Sequence, residues 1–140
     1  MTKAISVEKT IFSGKRKRAV AKLRLKPGNG KIFYNFLPSE ELGLFHRLAL
    51  IEPFRIFNQE LGEELKYDFH VKTAGGGKEG QIQAARLVIA RALLVITGSD
   101  TLKKAFVKYD RNMIVQDSRR KEPYKPGDSK ARARRQKSYR

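Results

Sequence analysis

The sequence predicts an α/β body in which a mostly antiparallel or mixed sheet packs on helices, followed by a basic C-terminal extension. Three observations support this prediction. Residues 19–26 alternate between apolar and cationic side chains, which is typical of a half-buried antiparallel strand. Residues 80–96 repeat apolar side chains at helical spacing. Residues 118–140 contain no Leu, Ile, Val, Phe or Met, so they cannot build a core of their own.

Three strands are predicted in the first part of the body. Residues 5–13 alternate weakly, and this strand ends at Gly14. In residues 19–26, alanine and leucine share one face while lysine and arginine form a basic outer face. Residues 27–30, Pro-Gly-Asn-Gly, make a tight turn and 31–35 return as a short strand, which predicts a hairpin between the second and third strands.

Two short helices and a loop are predicted next. Ser39 is followed by two glutamates and suits the N-cap of a helix that ends near Arg47. Pro53 fits the first turn of a second helix over residues 54–60. Residues 61–65 then form an acidic loop.

A strand and two helices complete the predicted body. Residues 67–73 alternate, with their apolar side chains on one side. Residues 80–96 are apolar over most of the helix surface, which predicts a buried helix at the centre of the core. Ser99 and Asp100 suit the start of a last helix that ends near Tyr109.

The C-terminal extension, residues 118–140, contains ten Lys or Arg residues and two acidic residues. Ordering a chain costs about 1 to 2 kcal/mol per backbone residue, and this segment buries no apolar surface to offset that cost. We therefore expect one compact domain, 1–117, and an extension that is disordered without RNA. At roughly 3.3 Å per residue, the extension reaches about 75 Å from the body.

The composition restricts the partners and the compartment. The net charge is +17 and the pI is about 10.4, which indicates a polyanionic partner such as nucleic acid. There is no cysteine, so disulfides and thiolate metal sites are excluded and a reducing cytoplasm is expected. No apolar run approaches the roughly 18 to 20 residues that span a bilayer, and the N-terminus lacks a secretion or transit pattern, so no membrane partner is expected.

Four consecutive cations, Lys15, Arg16, Lys17 and Arg18, lie between the first two predicted strands. They form either a solvated charged turn or a set of long side chains that splay outward to contact phosphates. The basic extension favours the phosphate interpretation.

A glycine-rich segment precedes the long helix. Gly75, Gly77 and Gly80 match the dinucleotide-binding pattern G-x-G-x-x-G. That site needs a second parallel strand after the helix, whereas residues 97–101 form a turn that leads into another helix. A P-loop needs Lys followed by Ser or Thr, and residues 81–82 are Gln-Ile. No nucleotide cofactor is therefore expected.

Two interpretations of the glycines remain open. In one, Gly75, Gly76 and Gly77 make only a sharp turn between strand and helix. In the other, they let the backbone approach a phosphate, which the free N–H groups at the helix N-terminus bind. Lys78 favours the second interpretation, and the phosphate then belongs to RNA.

The sequence offers no catalytic constellation. His46 and His70 are the only histidines, and neither has a companion at metal-ligand spacing. The adjacent glutamates at 40–41 and 63–64 point about 100° apart on a helix, so they are not paired carboxylates. We expect neither an enzyme nor a metal site, and no small-molecule substrate.

Several motifs together resemble the universal small-subunit ribosomal protein nine family. Their order and spacing cover nearly the whole chain. The matching segments are GKRKRAVA at 14–21, GGG at 75–77 with GQ at 80–81, ARAL at 90–93, DSR at 117–119 and QKSYR at 136–140. The ending KSYR resembles archaeal and eukaryotic members more than bacterial ones.

The resemblance implies a fold and a function. The fold is an α+β two-layer sandwich of the type shared with the second domain of ribosomal protein five. The function is that of a structural constituent of the small ribosomal subunit, bound to small-subunit ribosomal RNA beside neighbouring head proteins. In such proteins the C-terminal extension approaches the peptidyl-site tRNA.

The residues predicted to contact RNA are cations and glycines of the basic run at 15–18, the glycine segment and the extension, together with Gln81 and Arg111. Tyr124 and Tyr139 either stack on bases or lie along the backbone. The predicted ribosomal RNA contacts are Lys15, Arg16, Lys17, Arg18, Gly75, Gly76, Gly77, Lys78, Gln81, Arg111, Arg119, Arg120, Lys121, Lys125, Lys130, Arg132 and Arg134. The resemblance implies that the tRNA-proximal residues are Arg135, Lys137, Tyr139 and Arg140.

The predicted mechanism is replacement of condensed counterions on RNA phosphates by Lys and Arg, with selection by RNA shape. The main alternative is a free RNA- or DNA-binding chaperone that does not sediment with ribosomes. A membrane-surface protein is disfavoured because the extension lacks an apolar helical face.

Overall fold

The structure, a computed structural model, describes residues 10–124. Five strands form one mixed sheet, and three helices lie on one side of it. The strands are β1 (Ile11–Arg16), β2 (Ala19–Pro27), β3 (Ile32–Tyr34), β4 (Leu37–Pro38) and β5 (Tyr67–Ala74). The helices are α1 (Leu44–Glu60), α2 (Lys78–Thr97) and α3 (Asp100–Tyr109), with short 3-10 turns at Ser39–Glu41 and Arg111–Met113. The predicted combination of a mixed sheet and packed helices is confirmed.

The alternation in β2 is confirmed. Ala19, Ala21 and Leu23 are fully buried and Leu25 nearly so, while the cations between them are exposed. β2 lies inside the sheet and pairs antiparallel with β1 on one side and with β5 on the other. Its apolar face therefore meets the helical layer, and its cationic face points away from it.

The predicted hairpin between β2 and β3 is wrong. The strand order is β1-β2-β5-β3-β4, so β5 lies between them, and β3 pairs with β5 in parallel. The chain does turn after β2, but the turn is bound by Asp68 on β5. Its Oδ1 accepts hydrogen bonds from the backbone N–H groups of Asn29 and Lys31, each at 2.9 Å. The turn therefore passes around the end of β5 and does not close on β2.

The two predicted short helices are also wrong, because α1 is a single helix. Ser39 lies in the preceding 3-10 turn, and Gly43 is the N-cap of α1. Pro53 lies inside α1, where it interrupts one backbone hydrogen bond. Pro53 is buried with Phe54 and Phe57. Burial of this apolar cluster offsets the lost hydrogen bond.

β1 differs from the predicted first strand in its bounds. Residues 5–9 of the predicted strand lie outside the described residues. The strand continues past Gly14 through Arg16, so only Lys17 and Arg18 form the turn. Phe12 lies on the buried face of β1, whereas Ile11 is half exposed on the other face.

α2 is the central helix, as predicted, although it begins two residues earlier, at Lys78. Among residues 10–124, it is the one helix long and apolar enough to cross a membrane by length and composition. Its apolar residues pack instead against β1, β2, β5 and α1, and nine of its residues are buried. The high hydropathy of α2 is therefore explained by its position in the core of the domain.

α3 begins as predicted. The Ser99 side chain is its N-cap and accepts a hydrogen bond from the backbone N–H of Leu102 at 3.5 Å. Leu102 and Phe106 are buried beneath it. β5 and the acidic loop at 61–65 also match their predictions closely.

At Gly14, side chains of α2 pack directly against the backbone of β1. A Cβ at Gly14 would lie 2.5 Å from Leu87 Cδ2 and 2.7 Å from Val88 Cγ2. We expect Gly14→Ala to lower the free energy of unfolding by about 1 to 3 kcal/mol through overpacking, measured by urea denaturation. At Gly43 a Cβ meets nothing within 4 Å, so Gly43→Ala should cost less than about 1 kcal/mol. Equal losses in the two variants would contradict the packing argument.

Candidate nucleic-acid interface

The turn between β1 and β2 exposes two cations and anchors a third. Lys17 and Arg18 are exposed in a two-residue turn, where Lys17 has a φ of 53°. Arg16 instead faces α2, and its Nε donates a hydrogen bond to Gln83 Oε1 at 2.8 Å. Of the four consecutive cations, Arg16 is thus anchored, Lys15 is exposed on β1, and Lys17 and Arg18 are exposed in the turn.

The glycine segment forms a tight loop beside this turn. Gly75 and Gly76 have φ values of 72° and 65°. A Cβ at Gly76 would lie 2.8 Å from the backbone nitrogen of Ala19, so the two backbones are in direct contact. Gln81 holds the loop from below, since its Nε2 donates to Gly75 O at 3.0 Å.

Gln81 is a structural support of this loop. Its Oε1 accepts hydrogen bonds from the hydroxyl groups of Tyr34 and Thr73, each at 3.3 Å. The Gln81 side chain thus connects the glycine loop to β3 and β5. An RNA contact of Gln81, predicted from the sequence, remains a prediction.

The N-terminus of α2 opens onto the same loop. Gly77 is its N-cap and has no side chain to satisfy the N–H groups of the first turn. Lys78 is exposed at the first helical position. Glu79 lies in the first turn too, and it pairs with His46 Nε2 at 2.8 Å. The free N–H groups and the helix dipole favour an anion at this position.

Two arginines of α2 guide the chain after α3 back toward the turn. Arg91 Nε donates to Ile114 O at 3.0 Å, and its Nη1 donates to Ser13 O at 3.2 Å, which ties the returning chain to β1. Arg86 Nη1 donates to Asp110 Oδ2 at 2.9 Å. The returning chain is thus fixed at two points along α2.

Glu52 on α1 completes the network at Arg86. Glu52 pairs with Arg86 and accepts a hydrogen bond from the Tyr109 hydroxyl. This hydrogen bond, together with the negative charge of Glu52, raises the pKa of Tyr109. The network joins α1, α2 and the end of α3.

Asp117 attaches the start of the extension to the β1–β2 turn. Its side chain is 8% exposed and forms an ion pair with Arg16. It also pairs with Arg119, whose Nη2 lies 2.8 Å from Asp117 Oδ2, and it accepts the Arg119 backbone N–H at 2.8 Å. One carboxylate therefore holds the last arginine of β1 and an arginine of the extension.

The β1–β2 turn, the glycine loop and the start of the extension border a cleft of about 870 Å³. We call it the basic cleft. Its lining residues are Arg16, Lys17, Arg18, Gly76, Gly77, Arg119, Arg120 and Lys121. Six of these eight are cations, and no carboxylate lines the cleft in the described part of the chain. Residues separated by about a hundred positions thus converge on one site suited to phosphates.

The remaining predicted contacts lie elsewhere. Lys15 and Arg111 are exposed but do not line the basic cleft. Gly75 and Lys78 flank it along the chain. Eight predicted residues lie outside residues 10–124: Lys125, Lys130, Arg132, Arg134, Arg135, Lys137, Tyr139 and Arg140.

Sequence reasoning missed the residues that hold the basic cleft together. Asp117 and Arg91 appear in the motifs but were not predicted as site residues. An acidic residue two positions before the first arginine of a basic run is a usable signal, because Asp favours a local turn with the backbone two residues on. Nothing in the sequence pairs Arg91 with Ser13. Within residues 10–124, no three His, Asp or Glu side chains are grouped to hold a metal ion.

A small α+β fold with a cation-lined cleft of this kind is typical of proteins that bind nucleic acid. The chain belongs to the ribosomal protein S9/S16 family, whose model matches residues 14–140. The family resemblance predicted from the motifs is therefore confirmed.

Two similar proteins are archaeal and are both named small ribosomal subunit protein uS9. The protein from Methanococcus vannielii is 41% identical over 130 residues, which cover 91% of this chain and 95% of the relative. The protein from Halobacterium salinarum is 43% identical over 132 residues, which cover 94% and 98%. These relatives agree with the archaeal-like branch predicted from the C-terminal residues. The family and these names indicate no enzymatic activity.

Proposed function

We propose that the protein is a structural constituent of the small ribosomal subunit, in which the basic cleft binds ribosomal RNA and the C-terminal extension approaches the peptidyl-site tRNA. The observation that supports this most is the convergence of the turn, the glycine loop and the start of the extension on the basic cleft. Family membership and the names of the two archaeal relatives support the ribosomal setting.

The cleft suits an RNA backbone in three ways. Lys17, Arg18 and Arg120 replace counterions on phosphates. Gly76 and Gly77 carry no side chains, so a phosphate reaches the first-turn N–H groups of α2. Asp117 forms ion pairs with Arg16 and Arg119 and offsets one of their two positive charges, so the cleft keeps a net positive charge for the ligand. Such contacts fix position on RNA, while its shape provides selection.

The extension beyond Tyr124 adds charge without apolar surface. Residues 125–140 contain seven Lys or Arg and one acidic residue. The ion pairs of Asp117 fix the point at which the extension leaves the body. Arg135, Lys137, Tyr139 and Arg140 are the residues that we assign to the tRNA.

The proposed partners are small-subunit ribosomal RNA, peptidyl-site tRNA and neighbouring proteins of the subunit head, and the proposed location is the cytoplasmic ribosome. The alternative is a free basic RNA- or DNA-binding protein. The two functions differ in where the protein sediments. A free binder is distributed over many nucleic acids, whereas a ribosomal protein is found in the small subunit.

Sucrose-gradient sedimentation tests the proposal. We expect the tagged full-length protein, expressed in cells of its source, to co-sediment with small subunits at one copy per subunit. A protein that stays at the top of the gradient, or spreads over all RNA-containing fractions, contradicts the ribosomal assignment.

A truncation after Tyr124 tests the extension separately. The basic cleft remains intact, so we expect the truncated protein to enter subunits but to weaken tRNA binding at the peptidyl site, measured by filter binding. The control replaces residues 125–140 with a Gly/Ser segment of equal length, and it should behave like the truncation because charge is the cause. Wild-type tRNA affinity in both variants contradicts the role of the extension.

A further inference from the structure

The sheet has a second face that the helices leave open. Alternate residues of β1, β2 and β5 point away from α2, and their side chains are exposed or half-exposed. We call this surface the open sheet face. Its ionisable side chains are Lys15, Lys22, Arg24, Lys26, Asp68, His70 and Lys72. Neither α1, α2 nor α3 covers it.

The open sheet face concentrates like charge. Lys22 and Lys72 are direct cross-strand partners. Like charges directly opposite each other destabilise a sheet. The single acid on this surface is Asp68, which faces Lys26 and accepts the backbone N–H groups of the β2–β3 connection. The sheet therefore carries a repulsion that a bound polyanion would relieve.

Phe36 places an exposed ring at the margin of the same face. Asn35 and Phe36 form the two-residue turn between β3 and β4, with φ values of 48° and 72°. Asn-Gly is the preferred pair for such a turn, whereas a bulky residue rarely adopts a positive φ. Phe36 is nevertheless 83% exposed, and Lys72 Nζ lies 5.8 Å from its ring centroid. Phe36 is therefore unfavourable for the stability of the folded protein, because its backbone is in the left-handed region and its apolar ring is exposed to water.

A second aromatic surface lies next to these cations. Phe33 and His70 stack at a centroid distance of 4.7 Å and an interplanar angle of 9°. Burial, and then the positive charge of Lys26, lower the pKa of His70 against the opposing effect of Asp68. The neutral form of the ring is thereby favoured beside Arg24 and Lys72.

We infer that the open sheet face binds an unpaired stretch of RNA, with phosphates on Lys22, Arg24 and Lys72 and a base stacked on Phe36. Flat aromatic rings bordered by cations on an open sheet suit single strands, whose bases are free to stack. Charge complementarity selects RNA as the occupant. The inference rests on the proposed ribosomal RNA function, and it adds a contact surface separate from the basic cleft.

Phe36→Gly is the decisive variant. We expect it to lower the affinity for transcribed small-subunit ribosomal RNA by about 5- to 100-fold, the range for loss of one stacked base, in filter binding. The same change supplies the preferred turn pair, so the melting temperature should stay equal or rise. Phe45→Ala is the matched control, because Phe45 is also 83% exposed but lies on α1; its affinity should be that of the wild type.

Lys72→Glu tests the charged part of the surface. It creates an opposite-charge pair with Lys22, so the free protein should melt higher while RNA affinity falls and its salt dependence weakens. A 12-nucleotide single-stranded RNA and a 12-base-pair RNA duplex serve as further probes. The Phe36→Gly change should weaken binding of the single strand more than binding of the duplex.

The outcomes separate this inference from the proposed function. Wild-type affinity in Phe36→Gly and Lys72→Glu, or an equal loss in Phe45→Ala, overturns the inference. If removal of the basic-cleft cations still weakens binding in that case, the ribosomal RNA function stands without this surface. If neither set of variants affects binding, the proposed function itself fails.

Discussion

Gly76→Ser is expected to lower the free energy of unfolding by about 3 kcal/mol. The left-handed backbone at Gly76, with a φ of 65°, costs an L residue about 1 to 2 kcal/mol. The new Cβ would also lie 2.8 Å from the Ala19 nitrogen and 3.1 Å from the Ala19 Cβ. Since Ala19 is a fully buried residue of β2, its backbone has no room to move, and overpacking adds about 1 to 3 kcal/mol.

The neighbouring Gly77→Ser is the matched control. Gly77 has a φ of −104°, and a Cβ there meets nothing within 4 Å. Serine is a favoured N-cap residue, so this variant should be as stable as the wild type or gain a few tenths of a kcal/mol. Urea denaturation measures both. Similar stabilities of the two variants would show that the glycine loop does not contact β2 as described.

Patterns within single elements were predictable from the sequence. The two-residue alternation of β2 and the apolar repeat of α2 each depend on which side of one element is buried. The three basic or glycine-rich segments of the basic cleft were also identifiable, because charge and glycine content are local properties. Their convergence in one cleft was not predicted, because it depends on contacts between segments that are far apart in the sequence.

Pairing between elements was not predictable in the same way. The Pro-Gly-Asn-Gly turn specifies a reversal of direction, but it does not specify which strand becomes the neighbour. β5, which follows about forty residues later, occupies the position next to β2, and its Asp68 binds the turn. Long-range hydrogen bonds of this kind leave no local signal.

The single helix α1 and the anchor Asp117 show the same limit. Pro53 usually ends or begins a helix, yet burial with Phe54 and Phe57 outweighs the hydrogen bond that it interrupts. Asp117 looks like an isolated acid in a basic run. Its importance comes from Arg16, a hundred positions earlier, which only the fold brings into contact with it.

Removing the outer cations of the basic cleft is expected to weaken binding to small-subunit ribosomal RNA by about 10²- to 10³-fold at 0.15 M salt. The variant replaces Lys17, Arg18, Arg120 and Lys121 with alanine and keeps Arg16 and Arg119, because these two pair with Asp117. Each lost phosphate contact reduces the slope of log K against log salt by about 0.7 to 0.9, so four contacts reduce it by about 3.

The control removes the same charge from the helical layer. Arg55, Lys103, Lys104 and Lys108 are exposed on α1 and α3, and their replacement with alanine gives the same net charge, +17 − 4 = +13. If total charge alone attracted RNA, the two variants would lose affinity and salt dependence equally, and the basic cleft would have no special role. If the cleft binds phosphates, only the first variant shows the reduced slope. Near 1 M salt, counterion release contributes little, so both variants should approach the wild-type affinity. A misfolded variant would not recover its affinity in this way, so the convergence excludes misfolding as the cause of the loss.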